Sequence, residues 1–596
     1  MKNFMKKYTY SLLASLVCAF QGAYAVETFY TNINTGDVPF PLVEDADYEI
    51  YYNGTAGGAG RLGGTTTMKT QHTLSSITFK ASDGTQSTSS PSDWVALVNW
   101  VFDTKDVASG EKTVIKNETD SIFHLQLGKI TIQNTGADST STALLDFGNK
   151  ERWFIKGNAK DQFPVVDIKT NTRIVTSFAI YGLDINTNAT FNVLNNSTLT
   201  LDTDARTANK YANVSGGDVK FYIEEGSTVV IGQGKTFSVE VDSVLTNNGT
   251  IKGQGSNLAI VNGKNIAMDG VIDLTQYGNE DKGRSTLTIG NGTKITANNK
   301  FYADIIKIDG ADSALYVGDF KRDNGNTELT NGATIIASGT MTTGQGHTIK
   351  VQSGSQMSVN ACSTTNVNSS LNNYAIENAN SLLHIKSGAI SNRSGYVKDG
   401  GILQIDGTYK IANNGNQTDY DHAAATKITV ETGGKIKTNE IILVTAKLDL
   451  QTANAITNAN GDAINLTTDT ASKGSLLAMS ASQTFDTITA NTTNLEVEIT
   501  GDAVLTASFA SANGGKIFIN GFAEDRVFVA NADQITDANS IFFAYATAGD
   551  ASTQISQLYI NNGWLSAIAP TVPEPAEWAM IFGRIALGLA IYRRRK

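Results

Sequence analysis

Proline is scarce in this chain and unevenly placed. Of 596 residues only seven are proline, four at or before Pro164 and three at or after Pro570. The 405 residues from Val165 to Ala569 contain none. Proline lacks the N–H that a sheet ladder needs, so a long proline-free run rich in Thr, Val and Ile suits continuous strand pairing. Cysteine is scarcer still. With Cys18 in the leader described below, only Cys362 would remain, which excludes an intramolecular disulfide framework. Charge is low at 17% of residues, the net charge is −11, and no basic stripe is visible. A nucleic-acid binder needs such a stripe to displace counterions from phosphates, so nucleic acid is not an expected partner.

Glycine is abundant, at 55 residues, and it recurs in a pattern. A polar residue, Gly, one to three small or polar residues and an aliphatic repeat at Asn248-Gly249-Thr250-Ile251, Asp269-Gly270-Val271-Ile272, Asn291-Gly292-Thr293-Lys294-Ile295 and Asn331-Gly332-Ala333-Thr334-Ile335. Gly226, Gly249, Gly270, Gly292, Gly310, Gly332 and Gly354 follow one another at steps of 23, 21, 22, 18, 22 and 22. The register then loosens, with 34 residues from Gly354 to Gly388. Between the glycines lie short alternating runs such as Thr198-Leu199-Thr200-Leu201, Phe237-Ser238-Val239-Glu240-Val241 and Leu287-Thr288-Ile289. Period-two alternation buries one face of a strand and solvates the other. Gly and Asn supply the positive φ that tight corners require. A step of about 22 residues matches one coil of a parallel β-solenoid, in which each coil buries its aliphatics only by stacking on the next.

The expected fold is therefore all-β, a parallel β-solenoid (β-helix) over residues 165–569, with one coil per glycine step. That gives about 18 coils and a rod on the order of 85–90 Å. An array of antiparallel sandwiches is the alternative, though its turns usually come every 8–12 residues. Residues 26–164 hold four prolines and Trp94, Trp100 and Trp153, and read as an N-terminal cap with irregular early coils. Core packing is the commoner fate of such tryptophans, with carbohydrate binding the alternative.

Both termini carry transport features. Lys2, Lys6 and Lys7, an apolar stretch from Tyr8 to Phe20 and the small residues Ala23 and Ala25 around Tyr24 form a secretory leader over residues 1–25. The far end, 570–596, reads Pro573-Glu574-Pro575, then a 15-residue apolar segment from Trp578 to Tyr592, then Arg593-Arg594-Arg595-Lys596. Aromatic ends and a basic flank orient such a transmembrane helix with the basic residues in the cytoplasm. Arg584 interrupts it near the centre. An arginine there costs roughly 2.5–3.5 kcal/mol, about what the surrounding apolar residues return, so insertion is expected to be marginal.

This tail resembles the PEP-CTERM sorting signal of Gram-negative bacteria that make extracellular polysaccharide. The resemblance covers only the tail. It implies an inner-membrane precursor, processing by an exosortase-like enzyme near Pro573-Glu574-Pro575, and delivery to the envelope, outer surface or extracellular matrix. The solenoid is similar to autotransporter passengers. Together these imply a surface or matrix protein, structural or adhesive, in contact with extracellular polysaccharide.

Other motifs carry less chemistry. Gly58-Ala59-Gly60-Arg61-Leu62-Gly63 matches G-x-G-x-x-G, but no helix pattern follows, so it reads as a glycine loop and no nucleotide cofactor is expected. His72, His124, His347, His384 and His422 show no metal-ligand spacing. Asp419-Tyr420-Asp421-His422 could supply paired carboxylates or a calcium site, yet it lies in an Asn- and Gly-rich stretch that reads as a solvated loop. No catalytic residue is assigned. A polysaccharide lyase or hydrolase on the same scaffold is the alternative function, to be recognised by a cleft with carboxylates from neighbouring coils. Ice binding is weaker, because Thr198-Leu199-Thr200 and Thr286-Leu287-Thr288 do not recur at coil spacing.

Overall fold

The computed structural model describes residues 27–594, apart from 32–45, 53–59, 63–70, 82–90, 106–110, 137–140, 149–151, 177–180, 210–217, 276–282, 344–346, 365–369, 414–425, 571–574 and a few single positions or pairs. The chain divides into two compact units, Met1–Asn368 and Ser369–Lys596. Each is built of short strands that pair in parallel with strands roughly one coil away, as a solenoid requires. The single solenoid expected over 165–569 is thus divided between two units, at the place where the glycine register loosens.

A coil of the first unit has three faces. Face I contains Val219–Ile223, Ser243–Asn247, Asn265–Met268, Lys294–Ala297 and Ala314–Val317. Face II contains Thr198–Asp202, Thr228–Ile231, Thr250–Gly253, Val271–Leu274 and Phe301–Ala303. Face III contains Ala205–Ala208, Thr236–Val239, Asn257–Ile260, Thr286–Ile289 and Ile305–Asp309. The chain turns from I to II to III and back. Inward positions stack in register, so that Leu199, Val229, Ile251, Ile272 and Phe301 follow one another down the core of face II.

The glycines mark corners, with one correction to the expected register. Gly226, Gly249 and Gly270 lie between faces I and II on successive coils, whereas Gly292, Gly310, Gly332 and Gly354 lie between faces III and I. The 22-residue step from Gly270 to Gly292 is therefore not a coil. It comprises two strands plus the segment 276–282, and the true coil there, Ile272 over Phe301, is 29 residues long. The left-handed backbone explains the residue choice: Asn291 and Gly292 have φ of 56° and 72°, and Asn331 and Gly332 have 56° and 83°.

Residues 26–164, expected as cap and irregular coils, enter the same ladder from the start. Glu27–Thr31, Ala46–Tyr52, His72–Lys80, Glu111–Asn117 and Thr142–Asp146 each pair in parallel with the next. The prolines do not announce a different fold here. Pro91 and Pro164 sit just before Asp93–Asp103 and Val165–Ile168, where no ladder bond is forfeited. The tryptophans fill the core. Trp94, Phe79, Phe123, Phe147, Trp153, Phe191, Phe221 and Phe237 form a continuous train of rings with neighbouring centroids 4.9–6.2 Å apart. Burial of each contributes about 1.5–3 kcal/mol.

The second unit follows the same plan and ends differently. Tyr559–Asn561 and Trp564–Ser566 form an antiparallel hairpin, and Trp564 packs edge-on against Phe528 with centroids 5.1 Å apart. The two residues between them, Asn562 and Gly563, have φ of 51° and 86°, as a two-residue hairpin turn demands. Reversing the strand direction stops the parallel template. Pro575–Arg594 is a 20-residue helix whose described side chains are exposed. Among the described residues, no helix is long and apolar enough to cross a membrane.

Candidate functional site

The outer surface of the first unit is grooved along one side. The corner between faces I and II is occupied on successive coils by residues 195–196, 224–226, 248–249, 269–270, 298–300, 318–319 and 338–340. Seven corners at about 4.8 Å per coil make a strip of roughly 29 Å. One depression on it, about 990 Å³, is lined by Asn195, Asn196, Tyr222, Glu224, Glu225, Asn248, Asp269 and Asn299. A second, about 490 Å³, continues from Asn299 to Lys300, Tyr302, Asp319 and Thr342. A third, about 480 Å³, lies on face II among Thr200, Asp202, Gln233, Lys252 and Asp273.

The strip is built by the solenoid repeat itself. A Cβ on Gly249 would stand 2.3 Å from the Ser227 carbonyl oxygen, and one on Gly270 would stand 2.2 Å from that of Gly249. Only glycine lets these corners stack so closely, which leaves the polar residue before each glycine projecting in line. Three of the carboxylates are bonded to the neighbouring coil. Glu224 accepts from the Asn195 N–H, Asp269 accepts from Asn298 Nδ2 at 2.7 Å, and Asp319 accepts from the Thr340 N–H at 2.6 Å. What this surface can do chemically is present amides, hydroxyls and carboxylates to a polar polymer lying along the coil axis.

Face III holds the other concentration of charge, and there it is sealed. His124, Phe154, Asp184, Arg206 and Ser238 succeed one another at an outward position, yet none is more than 9% exposed. Asp184 receives Arg206 Nε at 2.9 Å and Nη2 at 2.7 Å, with Arg152 Nη1 at 3.2 Å. His124 stacks on Phe154 with centroids 4.9 Å apart and its Nε2 lies 3.1 Å from the Lys156 carbonyl oxygen. Burial, chiefly, lowers the His124 pKa from 6.5 to about 4. The unfolded chain then takes up a proton near pH 6.5 that the fold refuses until about pH 4. Stability is lost as pH falls through that window, by up to about 3 kcal/mol, and is fully present above it. His124→Leu should remove this part of the pH dependence. Urea unfolding midpoints of both proteins at pH 7 and pH 4.5 measure it, and an unchanged pH dependence in the variant contradicts the assignment.

The expected transport residues are only partly placed. Ala23, Ala25, Pro573, Glu574, Arg595 and Lys596 lie outside the described residues, as does Asp419-Tyr420-Asp421-His422. Pro575 opens the C-terminal helix, and Arg593 and Arg594 stand in its last turn. Gly60–Leu62, from the G-x-G-x-x-G match, is not a loop but a strand paired with Trp94, Val95 and Ala96. Trp94, Trp100 and Trp153 are each at most 1% exposed and cannot serve as sugar platforms. His384 pairs with Asp406 at 2.8 Å and His347 is buried. Among the described residues no group of three His, Cys, Asp or Glu could hold a metal ion. The Thr-x-Thr unit does not recur at coil spacing: Thr198 stacks on Thr228 and Thr250 and then Val271, but Thr200 stacks on Val230 and then Lys252. Sequence reasoning recognised Asn248-Gly249 and Asp269-Gly270 as corners without seeing that the residue before each glycine lines a common groove.

No protein family, curated protein or solved structure matches the chain. The fold and the grooved strip define a parallel β-solenoid protein with a linear polar surface.

Proposed function

We propose that this is an exported, non-enzymatic protein of the cell surface or extracellular matrix, structural or adhesive in role, that associates with extracellular polysaccharide. The observation that carries the reading is the strip of polar depressions across seven successive corners. A line of amides, hydroxyls and carboxylates repeating with the coil suits a polymer with a repeat of its own better than a single small ligand. Glu224, Asp269 and Asp319 each accept a bond from a neighbouring coil, which holds them in place and suits binding rather than proton transfer.

The tail supplies the route in this reading. Pro573-Glu574-Pro575 and the basic Arg593 to Lys596 resemble a sorting signal read by an exosortase-like enzyme at the inner membrane. The helix Pro575–Arg594 is about 30 Å long, but its apolar part, Trp578 to Tyr592, is only about 22 Å and is interrupted by Arg584, short of a comfortable span. A marginal anchor suits a precursor that is held and then released.

A second reading, polysaccharide hydrolysis, draws on one feature. Glu224 and Asp269 line one groove from corners about 10 Å apart along the backbone, a little more than the roughly 6.5–9.5 Å between the carboxyl groups of inverting glycosidases. The experiment that separates the two incubates the purified protein with a panel of extracellular polysaccharides. Association predicts retention by at least one polymer, no new reducing ends or unsaturated products, and loss of retention when Asn248→Trp fills the groove. Product release abolished by Asp269→Asn establishes the hydrolase reading instead.

A further inference from the structure

The 990 Å³ depression on the strip differs from the two smaller ones in charge. Among the described residues its lining carries Glu224, Glu225 and Asp269 and no lysine, arginine or histidine, whereas the two smaller depressions each hold a lysine, Lys300 and Lys252. Four asparagines and Tyr222 complete it. We propose that this groove selects polysaccharides bearing free amino groups, that is, amino-sugar polymers at least partly de-N-acetylated. The inference rests on the polysaccharide reading and adds the class of polymer.

The argument is one of complementarity. A uronate-bearing chain laid in the groove would bring carboxylates against three carboxylates with no cation in the lining to offset them, and like charges so placed suppress binding. A neutral chain can use the amides of Asn195, Asn196, Asn248 and Asn299 but offers the carboxylates no opposite charge in exchange for the water it displaces. An ammonium group converts those same carboxylates into acceptors of charge-assisted hydrogen bonds, roughly twice as strong as neutral ones. The spacing favours a polymer over an isolated amine. The carboxylates recur along the coil axis, Glu224 and Glu225 at one corner and Asp269 two corners on, about 10 Å away. Asn195 and Asn298 hold Glu224 and Asp269 in place before any ligand arrives, so little ordering is needed on binding.

The test titrates the full-length protein, in low salt, with three oligosaccharides of equal length: a glucosamine oligomer, its fully N-acetylated form, and a galacturonate oligomer. The glucosamine oligomer should bind about tenfold more tightly than the acetylated form, three exposed charge pairs each contributing modestly. The galacturonate oligomer should be the weakest. The preference should shrink at high salt, where exposed pairs are screened. Glu224→Gln with Glu225→Gln and Asp269→Asn should abolish the preference while leaving binding of the acetylated oligomer. The single variant Glu225→Gln, at an exposed side chain, should reduce the preference without touching a corner bond. Equal affinity for the two glucosamine forms, a preference that survives the triple replacement, or displacement by oligolysine at equal affinity each overturns the proposal. If none of the three oligomers nor any other polysaccharide binds, the polysaccharide reading itself falls. Lost preference with retained binding removes only the amine selectivity.

Discussion

Gly128→Ala is expected to destabilise the first unit by about 3–5 kcal/mol, or to prevent its folding outright. Gly128 lies in the long strand Ile122–Gln133 with φ +95°, a conformation that costs a residue bearing Cβ roughly 1–2 kcal/mol. The larger part is steric. A Cβ there would stand 1.9 Å from the Val98 carbonyl oxygen and 2.6 Å from the Val98 carbonyl carbon. The register explains the close approach: Ala96 faces Leu125 but Leu97 faces Leu127, so one extra residue bulges out of the strand just before Gly128. Neither backbone can retreat. On its far side Ile122–Gln133 is paired with Trp153–Ile155 and Val165–Ile168. Gly234→Ala provides the comparison, because that glycine also has positive φ, +68°, but nothing within 4 Å of the added Cβ. It should cost only about 1 kcal/mol. Chemical denaturation of the three proteins measures both, and equal losses at the two sites would show that the clash with Val98 is relieved in solution.

The same physics explains how much was legible in the sequence. Corners require either positive φ, as at Asn291-Gly292, or the absence of a Cβ where coils stack closely, as at Gly249 and Gly270, and residue type answers both, so Asn-Gly and Asp-Gly at coil-like steps disclose a solenoid. Which corner a glycine occupies is not local. The segment 276–282 lengthened one coil by just enough to make Gly270 to Gly292 imitate a regular step. The boundary at 368/369 fell where the steps had already loosened, in a polar stretch that gave no reason to divide it. Asn562-Gly563 makes a hairpin while Asn291-Gly292 and Asn331-Gly332 make parallel corners with the same pair of left-handed residues. The dipeptide specifies a sharp turn, and only the partners of the flanking strands decide its direction. The groove was half visible, as Glu225, Asn248 and Asp269 stood before repeating glycines, but Asn195, Asn196 and Asn299 precede no glycine. Asp184 was not legible at all. An aspartate at an outward strand position reads as solvated. Only the tertiary fold covers it.

Asp184→Ala is expected to cost about 3–5 kcal/mol, the penalty for removing one partner from a buried ion network. Asp184 is fully buried, and the arginines it binds come from the coils on either side, Arg152 before it and Arg206 after it. One carboxylate therefore ties three coils together at the outer surface of face III. Arg206 is confined further: its guanidinium lies 4.5 Å from the centre of the Tyr181 ring, and the Tyr181 hydroxyl donates to Glu240 Oε1 at 3.2 Å. Burial opposes the charge on Arg206, but the bonds from Asp184 outweigh it and hold the arginine pKa above its ordinary value. With alanine at 184, two guanidinium groups would face one another with Glu240 as the nearer remaining anion for Arg206 alone. The loss should be insensitive to salt, since a sealed pair is screened little. The double replacement Asp184→Leu with Arg206→Met separates charge from packing. It removes the unpaired cation on one side, fills similar volume, and should recover most of the stability lost by Asp184→Ala, because apolar replacement of a buried pair is often neutral or better. Urea unfolding of the single and double variants at two ionic strengths decides the matter. A loss below about 1 kcal/mol for Asp184→Ala, or one that vanishes in high salt, would mean that water reaches this network and that the coils are held by their core alone.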